Sequence, residues 1–537
     1  MTVRGAADVG AGLAPAREAR PIGAGERIHV VGAAGAGASA AALLASWAGA
    51  AVDGCDPGGP GPYTVALDGA GIVVAPAHDP AHVTVGSGGR PPSRLAVTKA
   101  LTAIDPDNAE LAAARDRSIP IEPWQQVVAD AAAGRRMIGV AGTHGKSTSA
   151  GWLVHVLASA GRDPGAFVGA LLPAGLTGLG VPATARRGEG DAFVVEADEY
   201  ADNFDAYRPN VIVLTSAEWD HPDVFADRAA VLAAFEAWIR RAGEGNLHGA
   251  ARGAGDRTVP VLVANVGDAG VAELVAGLAD WPGWIVATAL VDVAPQRVGS
   301  FARGIGERFR SAAGPADALL ARITAAQPDA TTIEIAGLDP LAGPLPVRLP
   351  TAGRHNAMNA LGVAGAAAAV GVDAGAIAAG LAGFGGVGRR LERKGEAAGI
   401  VVYDDYGHHP TAIRETLAAV RQREPGRRVW AVYEPLTFHR TAALLDAFAE
   451  ALARADAVAI ADIWAGRDPD TSVSSAAGLA EAVARRAPAI PVAAPGTVEA
   501  TAAWLAGEVR SGDAVLVMGG GRSYRIGELL LDHLKAR

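Results

Sequence analysis

The chain contains the stretch Gly142-Thr143-His144-Gly145-Lys146-Ser147-Thr148, which directly follows the apolar run Met137-Ile138-Gly139-Val140-Ala141. A buried strand that enters a glycine-bracketed turn and then opens a helix with Lys-Ser is typical of a phosphate-binding loop in an α/β protein. In such a loop the backbone N–H groups and the helix N-terminus face the anion, the ammonium reaches the terminal phosphates and the hydroxyl binds Mg²⁺. The stretch therefore predicts an α/β domain that binds nucleotide phosphates with Mg²⁺.

The choice of lysine within this loop supports the same interpretation. The chain has 47 basic residues, yet its only lysines are Lys99, Lys146, Lys394 and Lys535. An ammonium is a compact point charge that fits between phosphate oxygens, whereas a guanidinium is a planar fork. Val140 departs from the general pattern, which has its first glycine at that position. The alternative interpretation is a glycine-rich strand–helix turn with an exposed lysine.

Length and composition limit the class of protein. With 537 residues, of which 50% are hydrophobic, the chain is too long for one core, and about three domains are expected. The net charge of −10 argues against a nucleic-acid partner, and the single cysteine, Cys55, excludes a disulfide framework and fits a reducing compartment. No apolar stretch reaches the length of a membrane span. These features predict a soluble cytoplasmic protein without membrane insertion, and residues 1–25 are interpreted as a disordered leader.

Apolar runs alternate with helical patterns along the chain, in three segments. Residues 26–135, 136–392 and 393–537 each contain strands separated by helices. Such alternation indicates parallel sheets that are covered by helices on both faces. The stretch 281–329 has no clear assignment and is interpreted as a possible peripheral insertion in the middle segment. The predicted fold class is therefore α/β with three domains.

Glycines also open the first segment, in the turn Gly32–Ser39 after the apolar strand Ile28–Val31. Its glycines, Gly35 and Gly37 among them, do not follow the usual dinucleotide-binding order. The turn does follow a strand and open a helix, and Asp56 ends the next strand about 20 residues on, where a carboxylate often binds a ribose hydroxyl. The turn predicts a site for a nucleotide diphosphate, with close helix–strand packing as the alternative.

Acidic residues follow two strands of the second segment. Glu196-Ala197-Asp198-Glu199 ends one strand, and Glu218-Trp219-Asp220-His221 follows the next. The carboxyl ends of parallel strands meet at the ligand-binding edge of such a sheet. Carboxylate and hydroxyl oxygens suit Mg²⁺, which keeps much of its hydration and binds substrate phosphate oxygens. We therefore expect a magnesium site at this edge; the alternative is that the charges only cap strand ends in solvent.

Two further polar stretches lie at helix or strand ends. Asn356 and Asn359, in Gly353-Arg354-His355-Asn356-Ala357-Met358-Asn359-Ala360, share a helix face, and their carboxamides suit an adenine edge or a helix cap equally. The stretch Tyr403-Asp404-Asp405-Tyr406-Gly407-His408-His409-Pro410-Thr411 directly follows a strand. Two adjacent imidazoles without a nearby cysteine favour ligand positioning or a helix start over a transition-metal site.

In order and spacing these motifs resemble those of the Mur ligases of peptidoglycan synthesis, from Arg27 to the C-terminus. The most specific are the GTHGKST loop, the two acidic stretches, the asparagine-bearing helix start and the DDYGHHPT loop. The resemblance implies a Rossmann-like UDP-sugar domain, a central P-loop ATPase domain with a parallel or mixed sheet, and a Rossmann-like C-terminal domain that brings the amino acid. It also implies ATP-dependent ligation, in which a substrate carboxylate attacks ATP and an amine then displaces phosphate from the acyl phosphate.

The resemblance further implies roles for individual residues of this sequence. ATP would bind the loop Gly142–Thr148, with Lys146 on its phosphates; one Mg²⁺ would lie at Ser147 and Glu196 and a second at His221. The catalytic residues would be Lys146, Glu196 and His221. Further nucleotide contacts would fall on Asn356, Asn359, Arg390 and Asp405. The contacts to the UDP-sugar and the amino acid would fall on Gly35, Gly37, Ser39, Asp56, His408 and Arg440.

The acceptor is less constrained than the rest of the reaction. The resemblance implies that L-alanine is joined to UDP-N-acetylmuramate, by a monomer or a homodimer. Leu436-Thr437 in place of His-Arg and Ser216 in place of Asn depart from that pattern, and Glu199-Tyr200 is closer to ligases of a recycled L-Ala-γ-D-Glu-meso-diaminopimelate tripeptide. Two hypotheses from different classes compete with a ligase: an NAD-dependent oxidoreductase built on the first turn, and a non-catalytic nucleotide-binding regulator.

Overall fold

The computed structural model describes residues 6–242, 259–292, 298–339, 343–466, 468 and 470–537. Three separate sheets, of five, ten and six strands, follow one another along the chain. The predicted α/β class with three domains is confirmed, and the central and C-terminal sheets are mixed. Within the described residues, no helix combines the length and the apolar character that a membrane span needs.

The first sheet is built from short buried strands. They are β1 (Arg27–Val31), β2 (Ala51–Cys55), β3 (Val74–Ala75), β4 (Arg94–Val97) and β5 (Ile121–Pro123). The helices of this part are α1 (Ala6–Val9), α2 (Ala36–Trp47), α3 (Val65–Gly69), α4 (Ala81–Thr84), α5 (Lys99–Ile104), α6 (Ala109–Asp116) and α7 (Trp124–Ala131), with a 3-10 turn at Ser87–Gly89. The strand order is β3-β2-β1-β4-β5, all parallel. The order reverses between β1 and β4, so the turns after these two strands open one crevice, where such sheets bind ligands.

The chain before β1 is folded against this sheet, which corrects the expectation of a disordered leader over residues 1–25. Arg17 pairs with Glu122 Oε1 at 2.9 Å and with Asp130 Oδ2 at 2.7 Å. A guanidinium presents several N–H donors and binds two carboxylates at once, so this single side chain fixes the segment around it. Residues 1–5 of the expected leader lie outside the described residues.

The central sheet carries the phosphate-binding loop. Its strands are β6 (Arg136–Ala141), β7 (Gly165–Leu172), β8 (Ala183–Arg186), β9 (Ala192–Ala197), β10 (Val211–Leu214), β11 (Val261–Asn265), β12 (Trp284–Leu290), β13 (Asp317–Gln327), β14 (Ala330–Ala336) and β15 (Leu345–Leu349). Its helices are α8 (Lys146–Ser159), α9 (Ala174–Thr177), α10 (Arg228–Arg240), α11 (Ala269–Ala276), α12 (Val298–Arg308), α13 (Arg354–Ala369) and α14 (Ala374–Ala382), with a 3-10 segment at Tyr200–Ala206.

The strand order of the central sheet is β15-β14-β13-β12-β11-β10-β6-β9-β7-β8. The strands from β13 to β7 are parallel. β14 pairs antiparallel with β13, and the two edge strands, β15 and β8, pair antiparallel with their neighbours β14 and β7. β6 lies between β9 and β10, so both acidic stretches flank the loop that follows β6. Parallel pairing alone brings these three strand ends to one edge.

The stretch 281–329 belongs to this sheet, so its interpretation as a peripheral insertion is wrong. β12 pairs in parallel with β11, and β13 pairs in parallel with β12. A short apolar run such as that of β12 cannot be told from a buried helix segment by periodicity alone, which explains the missed strand. Residues 293–297 of this stretch lie outside the described residues.

The strands of the third sheet are β16 (Glu392–Ala397), β17 (Ile400–Asp405), β18 (Arg428–Glu434), β19 (Ala457–Ala461), β20 (Val492–Gly496) and β21 (Asp513–Gly519). Their order is β16-β17-β21-β18-β19-β20, in which only the edge strand β16 is antiparallel. The helices are α15 (Pro410–Arg423), α16 (Phe438–Ala443), α17 (Leu445–Leu452), α18 (Ala476–Arg486), α19 (Val498–Glu508) and α20 (Tyr524–Lys535). The second sheet begins at Arg136, which supports the boundary that we propose at 135/136. The third sheet begins at Glu392, one residue before the boundary that we propose at 392/393.

Candidate active site

A cleft of 1520 Å³ lies where the three domains meet. Seventeen of the predicted site residues line it: Gly35, Gly37, Asp56, Thr143, His144, Gly145, Lys146, Ser147, Thr148, Glu196, His221, Asn356, Asn359, Arg390, Asp405, His408 and Arg440. Two of the predicted residues, Ser39 and Gly142, are not among the lining residues. The fold therefore gathers groups from all three domains around one cavity.

Two glycines let the loop between β6 and α8 turn tightly. Gly142 has a φ of +133°, and a Cβ at this position would lie 2.2 Å from Thr215 Oγ1. Gly145 has a φ of +79°, and a Cβ there would lie 2.5 Å from Asn359 Oδ1. Only glycine adopts such backbone angles readily and leaves room for the neighbouring chain. Gly142 thus packs against Thr215 and Ser216, while the residues that follow it in the loop line the cleft.

The segment after β10 holds this loop in place. Ser216 Oγ accepts a hydrogen bond from His144 N at 2.8 Å, and Ser216 O accepts one from Thr143 N at 3.1 Å. Thr143 Oγ1 donates to Glu218 O at 3.1 Å. The serine that departs from the expected asparagine therefore has a direct role, because its hydroxyl satisfies a backbone N–H of the loop.

Lys146 begins α8, and its ammonium lies among carboxylates. Nζ is 2.7 Å from Glu199 Oε2 and 3.5 Å from Asp198 Oδ1. Burial disfavours the charge, but the two carboxylates outweigh this effect and hold the pKa of Lys146 above its ordinary value. Burial raises the pKa of Glu199 to about 7, against the attraction of Lys146. A permanently charged ammonium in an anionic pocket can exchange carboxylate oxygens for phosphate oxygens.

Ser147 and Glu196 present a pair of oxygen ligands beside the loop. Ser147 Oγ donates to Glu196 Oε1 at 2.9 Å, and Glu196 Oε2 accepts a hydrogen bond from Gly169 N at 2.6 Å. Arg390, from the hinge to the C-terminal domain, donates to Ser147 Oγ at 2.8 Å. Hydroxyl and carboxylate oxygens at the start of a phosphate-loop helix are hard donors that suit Mg²⁺. The residues present therefore fit the predicted ion.

A second group of candidate metal ligands lies next to Lys146. Asp198, Glu199 and His221 each offer one ligand atom, and these atoms lie within 4.8 Å of one another. His221 has a φ of 55°, and its ring packs against Tyr200 with the centroids 4.9 Å apart. Left-handed backbone in a residue other than glycine is costly and is concentrated at functional sites. Asp198 and Glu199 were not predicted as ligands, because the sequence cannot show which carboxylates of a run face the cleft.

Arg440 reaches from the C-terminal domain into the central domain. Its side chain, on α16, is 3% exposed, and Nη2 lies 2.8 Å from Asp220 Oδ1 and 3.0 Å from His221 Nδ1. Burial opposes ionisation of Asp220, but Arg440 and His221 outweigh it and hold the pKa of Asp220 well below its usual range. Nε and Nη1 of Arg440 are buried and have no hydrogen-bond partner among the described residues. A buried guanidinium with N–H groups to spare fits a carboxylate ligand.

The two asparagines at the start of α13 lie beside the phosphate-binding loop. Asn356 Nδ2 donates to Ala352 O at 2.8 Å, and Asn359 Nδ2 donates to Asn356 Oδ1 at 3.3 Å. The N-cap residue of the helix is Gly353, which has no side chain to cap it. The asparagines therefore do not act as the N-cap, and both line the cleft. Their contact with adenine stays a prediction.

The hinge to the C-terminal domain has unusual backbone angles. Arg389 and Leu391 have φ of 58° and 49°. Asp405 holds this connecting segment, residues 389–391, through its carboxylate. Its Oδ2 accepts a hydrogen bond from Leu391 N at 2.7 Å, and its Oδ1 accepts one from Gly407 N at 2.7 Å. Both oxygens of Asp405 therefore already bind backbone N–H groups, and its predicted contact with a ribose is not tested by this geometry.

His409 joins the start of α15 to the central domain. Its Nδ1 accepts a hydrogen bond from Thr411 N at 3.3 Å, and its Nε2 lies 3.3 Å from Trp219 O. This pair of partners requires the neutral tautomer with the proton on Nε2. Burial, with the nearby charge of His144, lowers the pKa of His409 to about 4. Burial, with the charge of Arg440, also lowers the pKa of His408 well below its ordinary value.

The turn after β1 faces the same cleft. Asp56 Oδ2 accepts a hydrogen bond from Ala34 N at 2.9 Å and Oδ1 accepts one from Gly58 N at 2.8 Å, so the carboxylate shapes the turn. A Cβ on Gly37 would lie 2.2 Å from the ring of Trp124. Close packing therefore explains Gly37, while Asp56 and the turn still line the cleft.

Ser39 is not among the residues that line the cleft, and its predicted contact with the substrate stays a prediction. It is fully buried; its Oγ donates to Ala36 O at 3.0 Å and lies 3.1 Å from Thr184 Oγ1 of the central domain. Ser39 lies one turn into α2, and its side chain faces the neighbouring domain rather than the ligand side. It therefore helps to join two domains.

The chain matches two family models of the Mur ligases. Residues 27–136 match the model for the Mur ligase family, catalytic domain, and residues 389–521 match the model for the Mur ligase, glutamate ligase domain. A UDP-N-acetylmuramate–L-alanine ligase of Roseiflexus sp. (strain RS-1) is 35% identical over 508 residues, covering 94% of this chain and 99% of that protein. The enzyme of the same name from Kineococcus radiotolerans is 37% identical over 518 residues, covering 95% and 97%. The chain belongs to the Mur ligase family.

Solved structures show that the fold of this Mur ligase extends over nearly the whole chain. The UDP-N-acetylmuramate–alanine ligase of Thermotoga maritima superposes with a TM-score of 0.69 at 20% identity, covering 95% of this chain and 99% of that one. A murein peptide ligase from Psychrobacter arcticus 273-4 gives a TM-score of 0.66 at 23% identity, covering 96% and 99%. At these identities the likeness concerns the fold alone.

The cleft of this Mur ligase also contains residues that the motifs did not single out as site residues. Lys99, which begins α5, lines the cleft, and its Nζ donates to Ala201 O of the central domain at 2.5 Å. Burial lowers the pKa of Lys99 despite nearby carboxylates. Tyr63 lines the same wall. The scarcity of lysine was the one sequence signal that could have pointed to Lys99.

Proposed function

We propose that this Mur ligase joins L-alanine to UDP-N-acetylmuramate while ATP is converted to ADP and phosphate, in the synthesis of peptidoglycan precursors in the cytoplasm. The names of its relatives, at 35% and 37% identity over nearly full length, support this substrate pair. Within the structure, the observation that carries the proposal is the position of Arg440. Its Nη2 contacts His221, beside the pocket of Lys146, while its Nε and Nη1 are buried without a partner among the described residues.

In the first step, an oxygen of the muramate carboxylate forms a bond to the γ-phosphorus of ATP. The bond from phosphorus to the bridging oxygen breaks, and its electron pair leaves with ADP. Lys146 stabilises the charge on the transferring group, since this chemistry depends on positioning and electrostatics more than on covalent help. One Mg²⁺ held by Ser147 and Glu196, and a second held by His221, would neutralise further phosphate charge.

In the second step, the amine of the amino acid attacks the carbonyl carbon of the acyl phosphate. The carbon–oxygen bond breaks, phosphate leaves with the electron pair, and the nitrogen loses a proton as the amide forms. Arg440 binds the carboxylate of the amino acid and so orients its amine, because a positioned reactant avoids much of the entropic cost of a bimolecular step.

The test is release of ADP by the purified full-length protein. We expect release only when UDP-N-acetylmuramate, L-alanine, ATP and Mg²⁺ are all present, with a product whose mass equals the sum of the two substrates less water. Lys146→Ala should abolish release, and Lys535→Ala on the exposed end of α20 is the matched control. ADP release that is independent of the muramate substrate would contradict the ligase assignment. We also propose that the enzyme is either a monomer or a homodimer, and light scattering would distinguish these two states from a larger oligomer.

A second candidate acceptor is the L-Ala-γ-D-Glu-meso-diaminopimelate tripeptide. Glu199-Tyr200 and Leu436-Thr437 favour it, since Tyr200 and Leu436 both line the cleft where the acceptor would bind. The same assay with L-alanine, glycine, L-serine and the tripeptide separates the two. A kcat/KM higher for the tripeptide than for L-alanine would replace the first acceptor with the second and leave the ligase chemistry intact.

A further inference from the structure

A buried cluster of histidine, cysteine and carboxylate side chains lies in the first sheet domain. Each member offers one ligand atom, and these atoms lie within 4.8 Å of one another; the members are His29 on β1, Cys55 at the end of β2, His82 on α4 and Glu110 on α6. Cys55 and Glu110 are fully buried, and His29 is 1% exposed. None of the four lines the cleft, and the proposed ligase reaction uses none of them.

The separations within the cluster are those of a small coordination sphere. Cys55 Sγ lies 3.1 Å from Glu110 Oε2, and His29 Nε2 lies 3.5 Å from Glu110 Oε1. His82 Nδ1 contacts the same carboxylate. In a tetrahedral site with bonds of about 2.0–2.3 Å, neighbouring ligand atoms are about 3.3–3.7 Å apart. All four ligand atoms lie within 4.8 Å of one another, so side-chain shifts of about an ångström would place one ion within reach of all four.

His29 is oriented as a metal ligand would be. Its Nδ1 lies 2.6 Å from Asp53 Oδ1, and because a carboxylate accepts a hydrogen bond, this nitrogen carries the proton. When the ring is neutral, as a metal ligand must be, the lone pair of Nε2 is turned toward the cluster, where Nε2 is buried and has no hydrogen-bond partner among the described residues. A carboxylate behind the far nitrogen is the arrangement that fixes the ring of metal-binding histidines. The neighbour of Nε2, Glu110 Oε1, is 3.5 Å away, without hydrogen-bond geometry. A buried nitrogen in this position needs an explanation, and a cation between it and the carboxylate supplies one.

We propose that this cluster is a structural site for a zinc-type divalent cation, with His29, Cys55, His82 and Glu110 as its four ligands. Two neutral imidazoles, one thiolate and one carboxylate balance a charge of +2 and suit a borderline-soft ion such as Zn²⁺ better than Mg²⁺. His78 covers one side, with Nδ1 3.2 Å from Cys55 Sγ and 3.1 Å from Glu110 Oε2. Four protein ligands and a covered side leave no open position, which is typical of structural sites.

The ion would stabilise the glycine-rich turn that follows β1, at Gly32–Ser39. Cys55 O accepts hydrogen bonds from Gly32 N at 2.9 Å and from Ala33 N at 3.1 Å, and the next residue, Asp56, binds Ala34 N. The proposed site would thus tie β1, β2, α4 and α6 together directly behind the turn that faces the cleft. This inference does not depend on the ligase reaction, because its readouts are metal content and spectra.

The test uses the full-length protein, freed of metal by dialysis against a chelator and titrated with Co²⁺. Cys55 is the only cysteine in the chain, so a thiolate-to-cobalt charge-transfer band can come from no other residue. We expect the band to saturate at one Co²⁺ per chain, together with the strong d–d bands of tetrahedral cobalt, and to disappear when Zn²⁺ displaces it. The absence of the band at saturating Co²⁺ would overturn the proposal. Cobalt that binds without the band would mean a site at the cleft carboxylates instead.

Variants separate this site from adventitious binding. Cys55→Ser should remove the charge-transfer band, and Asp53→Asn should lower the cobalt affinity about 10–100-fold, because Asp53 only orients a ligand. His82→Ala should lower the affinity further, with His533→Ala on the exposed face of α20 as the matched control. If the cobalt affinity is unchanged in both Asp53→Asn and His82→Ala, then the Cys55 thiolate binds the metal without the other members of the cluster. This result would also overturn the proposal. The measurements on the native chain remain decisive if a variant fails to fold.

Discussion

Replacing Arg440 by alanine should raise the KM for the amino acid and leave the KM for ATP nearly unchanged. The structure supplies the reason. Nε and Nη1 of this buried guanidinium have no hydrogen-bond partner among the described residues. The third nitrogen, Nη2, lies 3.0 Å from His221 Nδ1. Charged hydrogen bonds are worth about 1.5–3 kcal/mol each. Loss of two of them to a carboxylate corresponds to about 3 kcal/mol or more, which raises the amino-acid KM about 100-fold.

The same substitution removes the partner of Asp220. Arg440 Nη2 lies 2.8 Å from Asp220 Oδ1, and the two side chains are 3% and 5% exposed. Breaking a buried ion pair on one side costs about 3–5 kcal/mol, because the remaining charge is left without compensation. This pair joins the central and C-terminal domains, so the cost favours opening of the cleft, where water hydrates Asp220. Small-angle scattering should therefore show a larger radius of gyration for Arg440→Ala without ligands.

A double variant separates the two effects. Asp220→Asn removes the unpaired charge and keeps an oxygen that accepts the hydrogen bond from His221 N, which is 2.7 Å from Asp220 Oδ1. In Arg440→Ala with Asp220→Asn, the radius of gyration should return to that of the native chain, whereas the amino-acid KM should stay high. The assay is ADP release at saturating ATP and UDP-N-acetylmuramate. Recovery of the KM together with the closed shape would refute the carboxylate clamp and leave Arg440 a purely structural role.

Three further substitutions test other parts of the site. Lys146→Ala should cost about 3 kcal/mol or more in turnover while UDP-N-acetylmuramate binding, measured by calorimetry, stays near that of Lys535→Ala; turnover within a few-fold of native would exclude the loop as the ATP site. His221→Ala should lower kcat more than ATP affinity, because a metal ligand near the transferring group acts most strongly in the transition state; equal losses in both would indicate a ground-state role. His409, with its pKa lowered to about 4 by burial and by nearby cationic groups, stays neutral in the folded chain while the unfolded chain binds a proton below about pH 6.5. The free energy of unfolding is therefore unaffected by His409 above about pH 6.5 and falls by up to about 1.4 kcal/mol per pH unit as the pH drops to about 4. Denaturant unfolding at about pH 6.5 and about pH 5 should show a larger loss of this free energy for the native chain than for His409→Gln. Equal losses in the two proteins would contradict the neutral imidazole.

The sequence by itself determined those parts of the protein that depend on neighbouring residues. The loop from Gly142 to Thr148 could be recognised because strand, turn and helix start are contiguous, and the glycine positions follow from local backbone angles. The acidic stretches could be placed at one sheet edge because parallel strands share a direction. The α/β class with three domains and the membership of the Mur ligase family follow from the same local patterns.

Only the tertiary structure decided which of these residues meet. Strand order cannot be read from periodicity, so residues 281–329 joined the central sheet unpredicted, and Ser39 faced Thr184 rather than the cleft. Arg440 reaches Asp220 across a domain boundary, a contact that depends on how two separately folded units pack. The cluster around Cys55 likewise draws on four elements of the first domain. The physical reason is that short-range steric and periodic preferences act within a few residues, whereas burial and charge pairing are satisfied only once distant segments are packed together.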